Sequence, residues 1–267
     1  MMSGLSVYVD GIGLLGAGLP NWTIGQAVLA GTDTYVPRPI ELPPAATLPP
    51  AERRRVGRVV KLALAVGYEA AAAAGQDPAC LTTVFSSSGA DGDNCHEICQ
   101  VLATNDRQIS PTRFHNSVHN APAGYWSIAT GAMQPSTSLC AFDGSFGAGL
   151  LEAACQVIVA RKPVLVVAYD TGYPPPLHDS RPIAEAFGTA LLLAPERTTF
   201  SLGRIHMELT AEASSNLADP ELESLRNGSP AGRALPLLAL LARRQAHRQI
   251  LDYLEQLRIE VTLSPCH

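Results

Sequence analysis

The chain has 267 residues, 46% of them hydrophobic and 16% charged, with a formal net charge of −5. That size suits one large core, or one domain with an appendage. The acidic balance and the 6% aromatic content point away from nucleic acid, anionic membrane surfaces and base-stacking platforms as partners.

The opening stretch MMSGLSVYVDGIGLLG lacks the cationic start, long apolar core and cleavage site of a secretory signal. It reads instead as a strand with a glycine-rich exit. The longest helix-like apolar run, residues 235–242, has eight residues and is too short to span a bilayer. A cytoplasmic protein without membrane insertion is expected. Its six cysteines, at positions 80, 95, 99, 140, 155 and 266, are scattered through a large apolar chain. They are expected to be buried, reduced thiols rather than a disulfide framework.

Residues 37–50 hold six prolines and predict a surface loop. Residues 51–75 predict an alanine-rich helix closed by Gly75, with Arg53–Arg55 as a solvated face or a contact for an acidic carrier protein. LTTVFSSSGADGD predicts a strand and NCHEICQVLA a short helix. The stretch over residues 109–131 begins as a loop and becomes a helix. PSTSLCAF predicts a strand, residues 144–160 a helix, and KPVLVVAYD a buried strand, apolar throughout. YPPPLHDSRPI predicts a loop, FGTALLLAP and FSLGRIHMEL a pair of strands, and residues 211–230 polar turns. GRALPLLALLARRQAHRQILDYLEQL predicts one helix and RIEVTL a last strand. Strands alternating with helices argue an α/β layered fold.

Several residue groups are chemically suggestive. Cys95, His96 and Cys99, with His115 and His119, are zinc-ligand types, but no CxxC pair exists and HNSVH lacks the zincin glutamate, so no metal is expected. GAGLPNW and SGADGDN match neither the dinucleotide fingerprint nor a P-loop, and no cofactor is expected. LCAFDGSFGAG is the richest stretch, holding a thiol, a carboxylate and a hydroxyl just before an apolar helix. A tight strand-to-helix turn is where α/β enzymes place a nucleophile. Ser145 there could serve a hydrolase, with Asp170 or Asp179 and His206 as partners. Cys140 could accept an acyl group if its pKa were lowered, or be a small hydrophobe on a buried strand.

Read together, residues 109–170 resemble the N-terminal half of a β-ketoacyl synthase, a thiolase-fold enzyme. The resemblance rests on the Ile-Ser-Pro opening at 109–111, Asn-x-x-Ala-Gly at 120–124, Gly-x-x-x-Pro-Ser at 131–136, the elbow with its helix, and VLVVAYD. The helix over 51–75, the strand TTVFSSSGADGD and FGTALLLAP extend it across residues 5–195. It implies an α/β thiolase-like layered fold, with a ketosynthase-like N-terminal domain over residues 1–198. An abbreviated C-terminal part, residues 199–267, would pack on the same core.

The departures from the family are informative. Aligning forward from Pro135-Ser136 puts Asp143 at the catalytic cysteine position, and aligning back from VLVVA puts Gly144 there. Neither residue can form an acyl-enzyme, and Cys140 falls too early. The second half offers no H-G-T or G-H-T motif, since His206, His247 and His267 sit in unrelated contexts. Together with the short length, this resembles the ketosynthase-like chain-length-factor subunits of aryl polyene clusters. The resemblance implies a non-catalytic subunit in polyketide or fatty-acid-type biosynthesis, paired as a heterodimer with a full-length ketosynthase and served by an acyl carrier protein. Tyr125, Trp126, Met133, Phe142 and Phe146 are its candidate acyl-pocket or interface residues. Three rivals remain: a small condensing enzyme or acyltransferase using Cys140, a serine hydrolase using Ser145, and a scaffold without product control.

Overall fold

The computed structural model describes residues 4–183 and 185–266. β1 (Leu5–Gly16) leads into α1 (Trp22–Ala30), capped by Asn21, whose side chain accepts from the Ile24 amide at 2.9 Å. The proline-rich stretch is irregular, as expected. Arg53 ties it down, its Nη2 donating to the carbonyls of Ala46 and Leu48 at 2.7 and 3.0 Å. The arginine run is therefore partly a tether.

The helix expected over residues 51–75 is two helices, α2 (Pro50–Arg53) and α3 (Arg58–Ala73), separated where Gly57 turns extended. β2 (Thr82–Ser86), α4 (Gly92–Leu102), the single turn α5 (Pro111–His115) and α6 (Ala121–Thr130) follow. Next come β3 (Ser136–Leu139), α7 (Ser145–Ala160), β4 (Val164–Asp170) and the single turn α8 (Leu177–Ser180). β5 (Phe187–Ala194) and β6 (Gly203–Thr210) complete the middle of the chain.

Two later expectations are corrected. The polar segment read as turns contains α9 (Pro220–Gly228). Asp219 caps it by accepting from the Glu221 and Leu222 amides, with proline first and acidic residues in the opening turn. The long terminal helix is only α10 (Leu235–Arg243). Arg244 then turns left-handed, and β7 (His247–Leu251) runs as a strand against β8 (Arg258–Pro265). After Ala242 the next residues supply no apolar stripe to bury, whereas the free side of β8 supplies backbone partners.

Among the described residues the eight strands form one sheet in the order β3-β2-β4-β5-β1-β6-β8-β7. β2 is parallel to β3 and β4, and the other pairings are antiparallel. β5 and β6 do not pair with each other, because β1 lies between them. Side-chain alternation splits the core into two layers. Val84, Val166 and Leu191 face α1, α7 and α10, while Phe85, Val167 and Leu192 face α3 and α6. β4 and β5 are buried at every residue, which explains their unbroken apolar runs. The glycines of β1 have a packing reason, since a Cβ at Gly11 or Gly13 would strike the α3 carbonyls of Ala70 and Val66. Among the described residues no helix is long and apolar enough to cross a membrane.

Candidate functional site

β3 is an edge strand, and the chain leaves it directly into a tight turn that starts α7. Phe142 in that turn has a φ of 52°. A bulky side chain in the left-handed region costs about 1–3 kcal/mol and persists only where its surroundings over-determine it. Those surroundings are visible. Ser145 Oγ accepts from the Ala141 amide at 3.0 Å and donates to the Phe142 carbonyl at 2.7 Å. The Gly144 amide donates to the Ala141 carbonyl at 2.9 Å. A Cβ on Gly144 would strike the carbonyl of Tyr253, so only glycine fits there.

Charged residues clamp the turn from outside. Asp143 accepts from Arg181 Nη2 at 2.8 Å and from Arg233 Nη2 at 3.3 Å. Arg233 also pairs with Asp252 at 3.4 Å, and Asp252 pairs with Arg226 at 2.6 Å. Arg226 in turn holds Glu223 at 2.7 Å, which draws the Glu223 carboxyl down to about 2. The Arg181 guanidinium carbon stands 3.6 Å from the centre of the Phe142 ring. Ala141, Phe142, Asp143 and Gly144 line a cleft of about 530 Å³, opposite Arg233, Asp252 and Tyr253.

A buried hub lies behind the turn. Asp170, at the end of β4, accepts from Ser87 Oγ, from the Ser88 amide and hydroxyl, and from the Ala231 amide at 2.8–3.2 Å. Burial pushes its carboxyl up to about 6, and the four hydrogen bonds limit the rise. Through Ala231 this carboxylate fixes the turn that delivers Arg233. Through Ser88 it fixes the carbonyl that accepts from Cys140 Sγ at 3.2 Å.

The expected site residues fall into three groups. Cys140 lies beyond the end of β3 and is exposed, a correction to its reading as a small hydrophobe on a buried strand. β3 is a four-residue edge strand with no outer neighbour among the described residues, which leaves Cys140 exposed. The expectation of buried cysteines fails generally, since five of the six are exposed and Cys266 is half-buried. Ser145 is buried and spent on the turn, and both its contacts are backbone atoms. The partners weighed for it lie elsewhere. Asp170 is in the hub, Asp179 is in α8, and His206 bonds Ser6 and Glu208 on β6.

Tyr125, Trp126 and Phe146 are buried, the first two in the α3 layer and Phe146 in the α7 layer, on opposite faces of the sheet. Trp126 packs on Tyr68 and Phe85, with ring centres 5.1 and 6.3 Å away. Met133 and Phe142 are exposed, by 93% and 63%. The zinc-type residues disperse: His119 Nε2 lies 3.1 Å from the Ser87 carbonyl and His115 packs on Tyr125. Among the described residues no three histidine, cysteine or acidic groups converge to hold a metal. His267 lies outside the described residues. Sequence reading missed Arg181, Arg233 and Asp252, because no local pattern marks residues that converge from three distant segments.

The mixed sheet between two helical layers matches the thiolase-like ketosynthase fold. The chain matches the family described as beta-ketoacyl synthase, N-terminal domain, over residues 30–250, and it belongs to that family. Among solved structures it is similar to the ketosynthase (ApeO) in complex with its chain length factor (ApeC) from Xenorhabdus doucetiae. That match has 22% identity and a TM-score of 0.73, and covers 97% of this chain and 99% of the other. It is similar to the ishigamide ketosynthase/chain length factor at 14% identity and a TM-score of 0.72, covering 99% and 100% of the two chains. AntDE:AntF, a type II acyl-carrier protein in complex with its ketosynthase, gives 11% identity and a TM-score of 0.74, with 98% and 100% covered. No curated protein matches the chain.

Proposed function

We propose that this chain is a cytoplasmic, non-catalytic subunit of a β-ketoacyl-acyl-carrier-protein synthase. It pairs with a full-length ketosynthase and shapes the acyl pocket in the manner of a chain length factor, in aryl polyene or related assembly. The observation that carries this reading is the elbow. Its left-handed residue is Phe142, and neither it nor the Asp143 and Gly144 that follow, where the resemblance puts the nucleophile, can attack a thioester or carry an acyl group. Cys140 lies two residues before it and Ser145 is locked in the turn.

The edge beside the elbow supports a partner. β3 presents Ser136, Thr137, Ser138 and Leu139 with no charge among them, flanked by exposed Ile128, Met133 and Phe142. An uncharged edge with apolar side chains around it invites strand pairing across a subunit interface. Met133 and Phe142 are the side chains placed to meet the partner or the chain it elongates.

The test is intact-mass spectrometry after challenge with an acyl-loaded carrier protein, on the chain co-expressed with a ketosynthase. Acyl mass is expected on the partner alone. An adduct on this chain that disappears in Cys140→Ala would overturn the reading in favour of a condensing enzyme.

A further inference from the structure

The segment that follows β4 reaches the elbow through Arg181. Arg181, directly after α8, binds two consecutive turn residues with one guanidinium. Its flat face lies on the Phe142 ring at 3.6 Å, and its Nη2 donates to Asp143 Oδ1 at 2.8 Å. The planar fork of arginine allows this double grip, and the point charge of lysine does not. The backbone of Arg181 is itself fixed, donating to the Leu177 carbonyl at 2.9 Å and accepting from the Ile183 amide at 3.0 Å. Ile183 is buried, which anchors the segment to the body of the protein.

We propose that Arg181 is the positioning residue of the elbow. It holds Phe142 in its left-handed conformation and fixes the phenyl ring as a rigid wall of the cleft over residues 141–144. What that wall does, setting where a growing acyl chain stops, rests on the chain-length reading above. The rigidity of the wall does not. Asp143 keeps its second arginine, Arg233, when Arg181 is removed, so the turn loses its lid without losing its anchor.

The experiment is hydrogen exchange on the full chain, alone and co-expressed with a ketosynthase, together with product analysis of the complex. In Arg181→Ala the amides of Ala141 and Gly144 are expected to exchange about tenfold faster, the effect of losing a cation–aromatic stack and a part-exposed ion pair together. The complex should still form, with a broader spread of product lengths. Arg181→Lys keeps the charge beside Asp143 but not the stack, and should exchange nearly as fast as Arg181→Ala. Wild-type exchange in Arg181→Ala or Arg181→Lys would overturn the proposal, and a wild-type product spread beside faster exchange in Arg181→Ala would overturn the wall's part in setting chain length. Failure of the wild-type chain to bind a ketosynthase would instead sink the chain-length reading, and exchange on the isolated chain would still decide the role of Arg181.

Discussion

β3 and β7 are both edge strands with a single strand neighbour among the described residues, and on the outer side of β7 Ser215 bonds the backbone of Ile250 at 2.8 and 2.9 Å. The two strands treat the outer side differently. β7 begins with exposed His247 and Arg248, and Arg248 pairs with Glu212 at 3.0 Å and Glu260 at 2.7 Å. Arg243 and Arg244 precede it, so another strand approaching this edge meets a cluster of charge. β3 carries no charge and sits beside Met133 and Phe142. Charge at a sheet edge blocks unwanted pairing, and β3 lacks that protection. The contrast supports the proposal that a partner pairs on the elbow side of the sheet.

The sharpest way to break this comparison is to charge the open edge. Ser138→Lys should abolish co-purification with a ketosynthase, with a loss of about 3 kcal/mol or more in association, since it buries an unpaired ammonium. Arg248→Ala at the opposite edge should leave co-purification unchanged. If both variants bind equally well, β3 is not the interface.

A core substitution near the open edge separates stability from assembly. Trp126→Ala should lower unfolding free energy by about 3–5 kcal/mol in urea titration, because it empties a site packed against Tyr68 and Phe85. Met133→Ala, 93% exposed, should change stability by less than about 0.5 kcal/mol while weakening association with the partner.

The buried hub behind the elbow titrates in a defined direction. The Asp170 carboxyl is higher in the folded chain than in the unfolded chain. The folded state therefore holds the proton over a range where the unfolded state has released it. This group's contribution is full below about 4 and is lost as pH rises through about 6. Asp170→Asn should flatten that part of the stability–pH curve. It should also cost about 1–3 kcal/mol where its amide meets the donors of Ser88 and Ala231. Phe142→Ala, the mildest of these changes, keeps the Cβ and its left-handed strain and removes only an exposed ring, so it should leave thermal stability nearly unchanged. It should still shift product length in the ketosynthase complex if the ring is the wall.

Much of the fold was legible in the residues. The apolar runs of β4 and β5, the alternation of β8 and the glycine-flanked apolar helix α7 follow from burial, which selects residue types directly. The helix α9 was legible too: Asp219, Pro220 and two glutamates are a start signal that the surrounding polarity concealed. β7 was not, since Arg, Gln and Ala favour a helix locally and only the free side of β8 makes a strand the better choice.

For the site, the sequence by itself determined that a strand-to-helix turn lies near residues 140–145. Small residues, a strand before them and an apolar helix after them are local signals. Tertiary structure decided that Phe142 is the left-handed residue, that Ser145 is consumed by the turn, and that Arg181 and Arg233, 38 and 90 positions from Asp143, close on it. A phenylalanine carries no intrinsic preference for positive φ, and two arginines so distant in the chain share no local pattern. Only packing of the sheet brings them to one carboxylate, beside the Ser145 and Gly144 hydrogen bonds that hold the strained turn.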